Sequence, residues 1–79
     1  MRDEAQLVEF LARRLVEHED QVAVDEVEED GMLVIRLRVA PDDVGRVIGR
    51  GGRIARALRT VVRAAGVHGD RRVTLEIVE

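Results

Sequence analysis

Apolar residues near the start of the chain recur three or four positions apart. This spacing places side chains on one face of a helix. The residues that follow it are Leu7, Val8, Leu11 and Leu15. We therefore predict a first helix over residues 4–17, with this face packed against the rest of the protein.

After residue 20 the apolar residues alternate instead, as in strands with one buried face. Val22 and Val24 keep this alternation, whereas Val27 is out of phase, which is typical of a bulge or a fraying end. Asp30-Gly31 follows, and this dipeptide favours a hairpin turn because both central residues take a positive φ. A second alternating run then comprises Leu33, Ile35, Leu37 and Val39. Residues 21–39 are thus predicted to form a β-hairpin.

Two helices and a strand are predicted for the rest of the chain. Pro41 suits the first turn of a helix, and Gly45 and Gly49 keep that helix short. A longer amphipathic helix follows the glycines. Its predicted apolar face comprises Ile54, Leu58, Val61 and Ala65, and its basic arc comprises Arg53, Arg56, Arg59 and Arg63. The last run is predicted to be a half-buried strand with Val73, Leu75 and Ile77 on one face.

The predicted order is helix, strand, strand, helix, helix, strand, which is an α+β fold. A strand, a helical crossover and another strand favour a right-handed connection between parallel neighbours, and the hairpin adds an antiparallel strand. We therefore predict a three-stranded mixed sheet with three helices packed on one face. The other face is predicted to be hydrated or to bind a partner, and it carries Arg36, Arg38, Arg72, Thr74 and Glu76.

Length and composition exclude several functional classes. With 79 residues and Phe10 as its one aromatic residue, the chain can form one small aliphatic core but no aromatic platform for stacking bases. The absence of cysteine excludes disulfides and thiolate zinc sites. No apolar run approaches the roughly 20 residues of a membrane span. We therefore expect a cytoplasmic protein without a membrane partner.

The net charge of -3 conceals a strong asymmetry. Residues 1–43 contain 5 arginines and 13 acids, a balance of -8, whereas residues 44–79 contain 8 arginines and 3 acids, a balance of +5. Within residues 44–66 there are six arginines and no acid. An acidic chain with one basic region is typical of a domain that binds an anion with one face only.

The glycine-rich sequence at residues 49–52 lies inside this basic region, and three interpretations of it are open. It can be a turn between two helices, since glycine readily adopts a positive φ. A nucleotide-binding loop fits poorly, because the chain has no lysine for a Walker loop and no strand directly before the glycines. The third interpretation is a clamp on single-stranded nucleic acid, in which a glycine backbone and a helix N-terminus approach the phosphates.

The clamp interpretation assigns two groups of candidate residues. Contacts to the nucleic-acid backbone are predicted for Gly49, Arg50, Gly51, Gly52, Arg46, Arg53 and Arg56. An apolar groove edge for the bases is predicted from Val39, Val47, Ile48 and Ile54. Arg59 and Arg63 are less favoured because they lie farther from the loop in the sequence.

The residues of this loop resemble the I-G-x-x-G signature of KH domains, which clamp about four nucleotides. Residues 48–52 read Ile-Gly-Arg-Gly-Gly and are set between two predicted helices. The element order is similar to the type II, or prokaryotic, KH fold. Nearly all 79 residues, including the Ala-Pro-Asp-Asp sequence at 40–43, resemble the small bacterial KH proteins of the KhpA family.

This resemblance implies a single KH domain over residues 1–79 with its GxxG loop at 49–52. It also implies sequence-tolerant binding of single-stranded RNA, a chaperone-like or regulatory role, and pairing with a second KH protein, KhpB, or with another copy of the chain. Gly51 departs from the family pattern, because many relatives carry a polar or charged side chain there. With one fewer side-chain contact, the loop is expected to bind RNA more weakly or less selectively.

No catalytic triad, carboxylate pair or cofactor motif is visible in the sequence. We therefore expect no enzyme, no cofactor and no small-molecule substrate. His18 and His68 are isolated, and no metal-ligand spacing occurs, so no metal site is expected. The alternative function is a KH-fold interaction or dimerisation module with little or no RNA binding, for which the second sheet face and the acidic first helix are available.

Overall fold

The structure is a computed structural model that describes residues 3–65 and 72–78. Its helices are α1 (Asp3–Leu15), α2 (Val44–Ile48) and α3 (Arg53–Ala65), and its strands are β1 (Ala23–Glu29), β2 (Met32–Arg38) and β3 (Arg72–Val78). Three single-turn 3-10 helices lie at Glu19–Gln21, Pro41–Asp43 and Arg50–Gly52. The predicted α+β fold and the predicted order of its elements are confirmed.

The strand β2 lies at the centre of a three-stranded sheet with the order β1-β2-β3. It pairs antiparallel with β1 and parallel with β3, so the predicted mixed sheet is confirmed. The turn between β1 and β2 has φ values of 52° at Asp30 and 78° at Gly31. These are the positive values that an Asp-Gly hairpin turn requires.

Val27 stays in register, and the predicted bulge or fraying end is wrong. It pairs with Val34 of β2, whereas Val24 pairs with Leu37. Because successive side chains of a strand point to opposite faces, Val24 and Val27 lie on different faces of the sheet. Val34 is only 5% exposed. The sheet face away from the helices therefore has an apolar centre of its own. This explains why Val27 does not continue the alternation of Val24.

The charged residues on this second sheet face pair with one another across all three strands. Arg36 of β2 lies 3.6 Å from Glu29 of β1 and 3.5 Å from Glu76 of β3. The three side chains are between 39% and 56% exposed, so the ion pairs are weak. They still leave this face close to neutral, unlike the surface of α3.

The core lies between the sheet and the helices, and small residues form much of the helical side. The residues that α1 and α3 bury are Ala5, Val8, Ala12, Ala55, Leu58 and Val62. The predicted apolar faces were therefore partly wrong. Leu11 and Leu15 are only partly buried, and Val61 is 37% exposed. Alanine allows each helix axis to approach the sheet closely, which moves the larger side chains to the flanks of the contact.

Within residues 3–65 and 72–78, no helix has the length and apolar character needed to cross a lipid bilayer.

Candidate nucleic-acid interface

Residues 49–52, which we call the clamp loop, form a tight turn between α2 and α3. The N–H of Gly52 donates to the carbonyl oxygen of Gly49 at 3.1 Å. The N–H of Gly49 donates to the carbonyl oxygen of Gly45 at 2.9 Å. The φ values are 77° at Gly49, 64° at Gly51 and 78° at Gly52. Three positive values within four residues explain why this turn consists almost entirely of glycine.

The first glycine of the clamp loop has a structural role. A Cβ atom at Gly49 would lie 2.9 Å from the Cβ and backbone nitrogen of Ile54, and closer still to its Cγ1. Gly49 also has φ 77° and ψ 170°, a region that only glycine populates readily. Gly51 and Gly52 differ, because a Cβ at either position would meet no heavy atom within 4 Å. The tip of the loop is therefore open to a ligand.

Backbone donors are available at the tip of the clamp loop. The N–H groups of Gly52 and Arg53 donate to the carbonyl oxygens of Gly49 and Arg50. Arg50 and Gly51 are the first residues of the 3-10 helix Arg50–Gly52, and the first N–H groups of a helix have no acceptor within it. These groups lie just before α3, whose N-terminus carries the positive end of the helix dipole. This arrangement suits a phosphate.

Three predicted contact arginines surround this tip. Arg50, Arg53 and Arg56 are exposed. Across the residues that the structure describes, none of the three forms an ion pair with an acid. Their charge is therefore not neutralised within this part of the protein. The structure places them together at the loop and the first turns of α3, as the clamp interpretation requires.

Arg59 and Arg63, which we considered less favoured, border a depression next to β3. The guanidinium Nε of Arg59 donates to the carbonyl oxygen of Leu75 at 3.3 Å. The depression, which we call the β3 groove, has a volume of about 140 Å³ and is lined by Arg59, Arg63, Val73, Thr74 and Leu75. The strand β3 lies at the edge of the sheet. The basic surface formed by the arginines of α3 therefore extends from the clamp loop to the exposed edge of β3.

The sequence contained a signal for this surface. Arg56, Arg59 and Arg63 are spaced three and four residues apart, so they lie on one side of α3. Local spacing does not specify which strand packs beside that side. The position of β3 was therefore needed to distinguish a groove from a solvated helix face.

Arg46 is positioned differently from the other candidate arginines. Its Nη2 atom lies 2.6 Å from Oε1 of Glu17, and its Nε atom lies 3.4 Å from Oδ1 of Asp43. The side chain is thus directed towards the segment that follows α1, where two carboxylates offset its charge. It remains 50% exposed.

Asp43 is a buried carboxylate that the sequence analysis did not assign to the site. It is 1% exposed, and it accepts the N–H of Glu17 at 3.1 Å and that of His18 at 3.0 Å. Burial by itself raises the pKa of Asp43, but these two hydrogen bonds and the charges of His18 and Arg46 outweigh it and hold the pKa below its ordinary value. Two acids after Pro41 indicated a helix start, but not this contact across the fold.

The predicted apolar groove edge is only partly at the surface. Val39 is 6% exposed and Val47 is fully buried, so both side chains belong to the core. Ile48 and Ile54 are half-buried and lie beside Gly49. Val47 lies on α2 and Val39 just after β2, and the contact of these two valines with bases stays a prediction.

Comparison with known families agrees with this geometry. Residues 5–77 match the family model described as "KhpA/KhpB, KH domain". The chain belongs to the KhpA/KhpB KH-domain family. It is 48% identical over 73 residues to "RNA-binding protein KhpA" of Clostridium acetobutylicum, covering 92% of this chain and 97% of that protein. The KhpA of Aquifex aeolicus is 51% identical over 73 residues, with 92% of each chain covered.

The KH fold of this family also occurs within a larger protein of known structure. The chain matches Aquifex aeolicus Era bound to GDP·AlF4- with a TM-score of 0.64 and 26% identity. The match covers 94% of this chain and 29% of the Era chain. A second Era structure, with MgGDPNP and nucleotides 1506–1542 of 16S ribosomal RNA, also has a TM-score of 0.64 and 26% identity, and 28% of its chain is covered. This KhpA/KhpB-family chain thus corresponds to less than a third of Era.

His18 lies outside the candidate interface. His18 is half-buried next to Asp43, and His68 lies outside the described residues. No group of three histidines or acids suited to a metal ion occurs in residues 3–65 and 72–78.

Proposed function

We propose that this protein binds single-stranded RNA through the clamp loop and the neighbouring arginines of α3. Residues 1–79 would act as one KH domain, without catalysis, in the cytoplasm. One observation carries this proposal: an open glycine turn lies at the N-terminus of a helix whose exposed arginines have no acid partner among the described residues. The name "RNA-binding protein KhpA" of its relatives supports the same function.

In this proposal the loop binds the sugar-phosphate backbone rather than the base edges. The N–H groups of Arg50 and Gly51 donate to a phosphate, and Arg50 and Arg53 supply charge. The RNA then follows the β3 groove, where Arg59 and Arg63 lie beside the open edge of β3. Backbone recognition carries little sequence information, which suits a chaperone-like or regulatory protein that binds many RNAs.

The dependence of affinity on salt tests this function. The logarithm of the association constant for a short single-stranded RNA should fall with the logarithm of salt concentration at a slope of about -2 to -3, assuming roughly three to four neutralised phosphates. Fluorescence anisotropy with a labelled oligonucleotide measures this slope. A domain used only for protein interaction would show no RNA binding at any salt concentration, which would overturn the proposal.

We further propose that the chain pairs with a second KH domain, either of a KhpB-type protein or of another copy. A mainly apolar cleft of about 280 Å³ lies between α1 and α3, and we call it the α1–α3 cleft. Its lining comprises Leu11, Arg14, Leu15, Ile54, Ala57, Leu58 and Val61. Phe10 and Val61 are the large exposed apolar residues of the described chain, and Arg14 stacks over the Phe10 ring at 5.2 Å. Exposed apolar patches of this kind are typical of association surfaces.

A charged residue in the α1–α3 cleft should prevent this pairing. Val61→Glu is expected to weaken association at least about tenfold, because it buries an unpaired carboxylate in the contact. Sedimentation equilibrium, alone and with a KhpB-type KH domain, measures the association. The matched control is Thr60→Glu, which adds the same charge to an exposed neighbour on α3 that does not line the cleft. Equal association of the two variants, or a wild type that pairs with neither partner, would contradict the proposal.

A further inference from the structure

Among the arginines near the clamp loop, Arg46 differs because its guanidinium already forms ion pairs with carboxylates. Its Nη2 atom lies 2.6 Å from Oε1 of Glu17, a short charge-assisted hydrogen bond. Arg46 also precedes Gly49 by three residues in the short helix α2 that leads into the loop. Arg46 is therefore one helical turn away along the chain from the residue that begins the clamp loop.

The position of Glu17 is set by a buried group rather than by chance contact at the surface. The segment after α1 is held to the start of α2 because Oδ1 and Oδ2 of Asp43 accept the N–H groups of Glu17 and His18. Asp43 is 1% exposed, and its lowered pKa keeps it ionised near neutral pH. The backbone of Glu17 is thus fixed where its side chain reaches Arg46.

We propose that Glu17 competes with the RNA phosphate for Arg46 and thereby lowers the affinity of the clamp. This inference rests on the proposed RNA-binding function and concerns its regulation. A carboxylate and a phosphate both accept guanidinium N–H groups and offset its charge, so Glu17 and a phosphate oppose each other at Arg46. While Glu17 is bound, Arg46 contributes little to the attraction of RNA. The acidic half of the chain thus restrains the basic half at one defined contact.

The geometry of the pair sets the size of this effect. The side chains of Arg46 and Glu17 are 50% and 64% exposed, and exposed ion pairs are weak. Removing the competitor should therefore raise RNA affinity by about two- to five-fold. A restraint of this size adjusts RNA affinity without abolishing binding.

Four variants test the competition. Glu17→Gln removes the charge but keeps the backbone N–H that Asp43 accepts. Glu9→Gln is the matched control, because it removes the same charge from an acid that pairs with Arg13 within α1. Arg46→Gln and the Glu17→Gln/Arg46→Gln double variant complete the cycle. For each protein, RNA affinity is measured by anisotropy over a range of salt concentrations, and folding is checked by circular dichroism.

Glu17→Gln should bind RNA about two- to five-fold more tightly than Glu9→Gln, with a salt slope steeper by about 0.7 for the one additional phosphate contact. The gain in RNA affinity should be absent when the double variant is compared with Arg46→Gln. The inference is overturned if the two glutamine variants bind equally, or if the gain of Glu17→Gln persists without Arg46. If neither the wild type nor any variant binds RNA, the proposed function itself is wrong and this inference falls with it.

Discussion

Replacing Arg50 and Gly51 together with aspartate is expected to abolish RNA binding, with a loss of at least about 100-fold, and to leave the fold intact. The change replaces one positive charge with two negative charges at the tip of the clamp loop, next to the N-terminus of α3 where a phosphate would lie. Arg50 is exposed, and a Cβ at position 51 meets no heavy atom within 4 Å. Aspartate tolerates the positive φ of 64° at this position at a cost of about 1–2 kcal/mol.

A control variant with the same change in net charge tests whether the loss of RNA binding depends on charges in the loop or on the net charge of the protein. Arg13→Asp with Gly31→Asp alters charge equally, and Gly31 also has a positive φ and open space around its Cβ position. Anisotropy with single-stranded RNA should show binding for this control and none for the loop variant. Both should keep the circular dichroism spectrum of the wild type. A folded loop variant with unchanged affinity for single-stranded RNA would contradict the clamp hypothesis.

The second large effect is expected for Gly49→Ala, which should destabilise the protein by about 2–6 kcal/mol. About 1–3 kcal/mol comes from a backbone conformation that alanine rarely adopts, and a similar amount comes from forcing a methyl group against Ile54. Small domains have a free energy of unfolding of about 5–15 kcal/mol, so much of the stability would be lost. RNA affinity should fall as well, because relief of the clash moves α2 relative to α3.

Urea denaturation measures this loss, and the neighbouring glycine supplies the control. Gly51→Ala places a methyl group in open space and meets only the cost of a positive φ, about 1–2 kcal/mol. Gly49→Ala should therefore have a clearly lower urea midpoint than Gly51→Ala. If the two variants were equally stable, the contact between Gly49 and Ile54 would not be the reason for glycine at position 49.

These expectations assign different roles to the glycines of one loop. Gly49 is required for the packing of α2 against α3, whereas Gly51 and Gly52 leave the tip free of side chains. A larger side chain at position 51 would start in open space, because a Cβ there meets no heavy atom within 4 Å. Its absence here leaves Arg50 and the backbone N–H groups as the donors at the tip.

Much of the fold followed from the local sequence. The Asp30-Gly31 turn, the alternation in β2 and the glycines of the clamp loop are set by the backbone preferences of neighbouring residues, so the element order was predictable. The candidate loop could be placed at residues 49–52 for the same reason, because few residues other than glycine adopt the positive φ values found there.

Contacts between residues far apart in the chain required the tertiary structure. Asp43 binds the backbone of Glu17 across 26 residues, Arg46 pairs with Glu17 across 29, and Arg59 reaches Leu75 across 16. Packing also decided that Val61 is exposed while Val62 is buried, and that Val27 opposes Val34 on the second sheet face. Periodicity specifies that a helix or strand has an apolar side, but the neighbours of that side depend on how all the elements pack together. For this reason the glycine loop was evident from the sequence, whereas the restraint on Arg46 and the groove beside β3 were not.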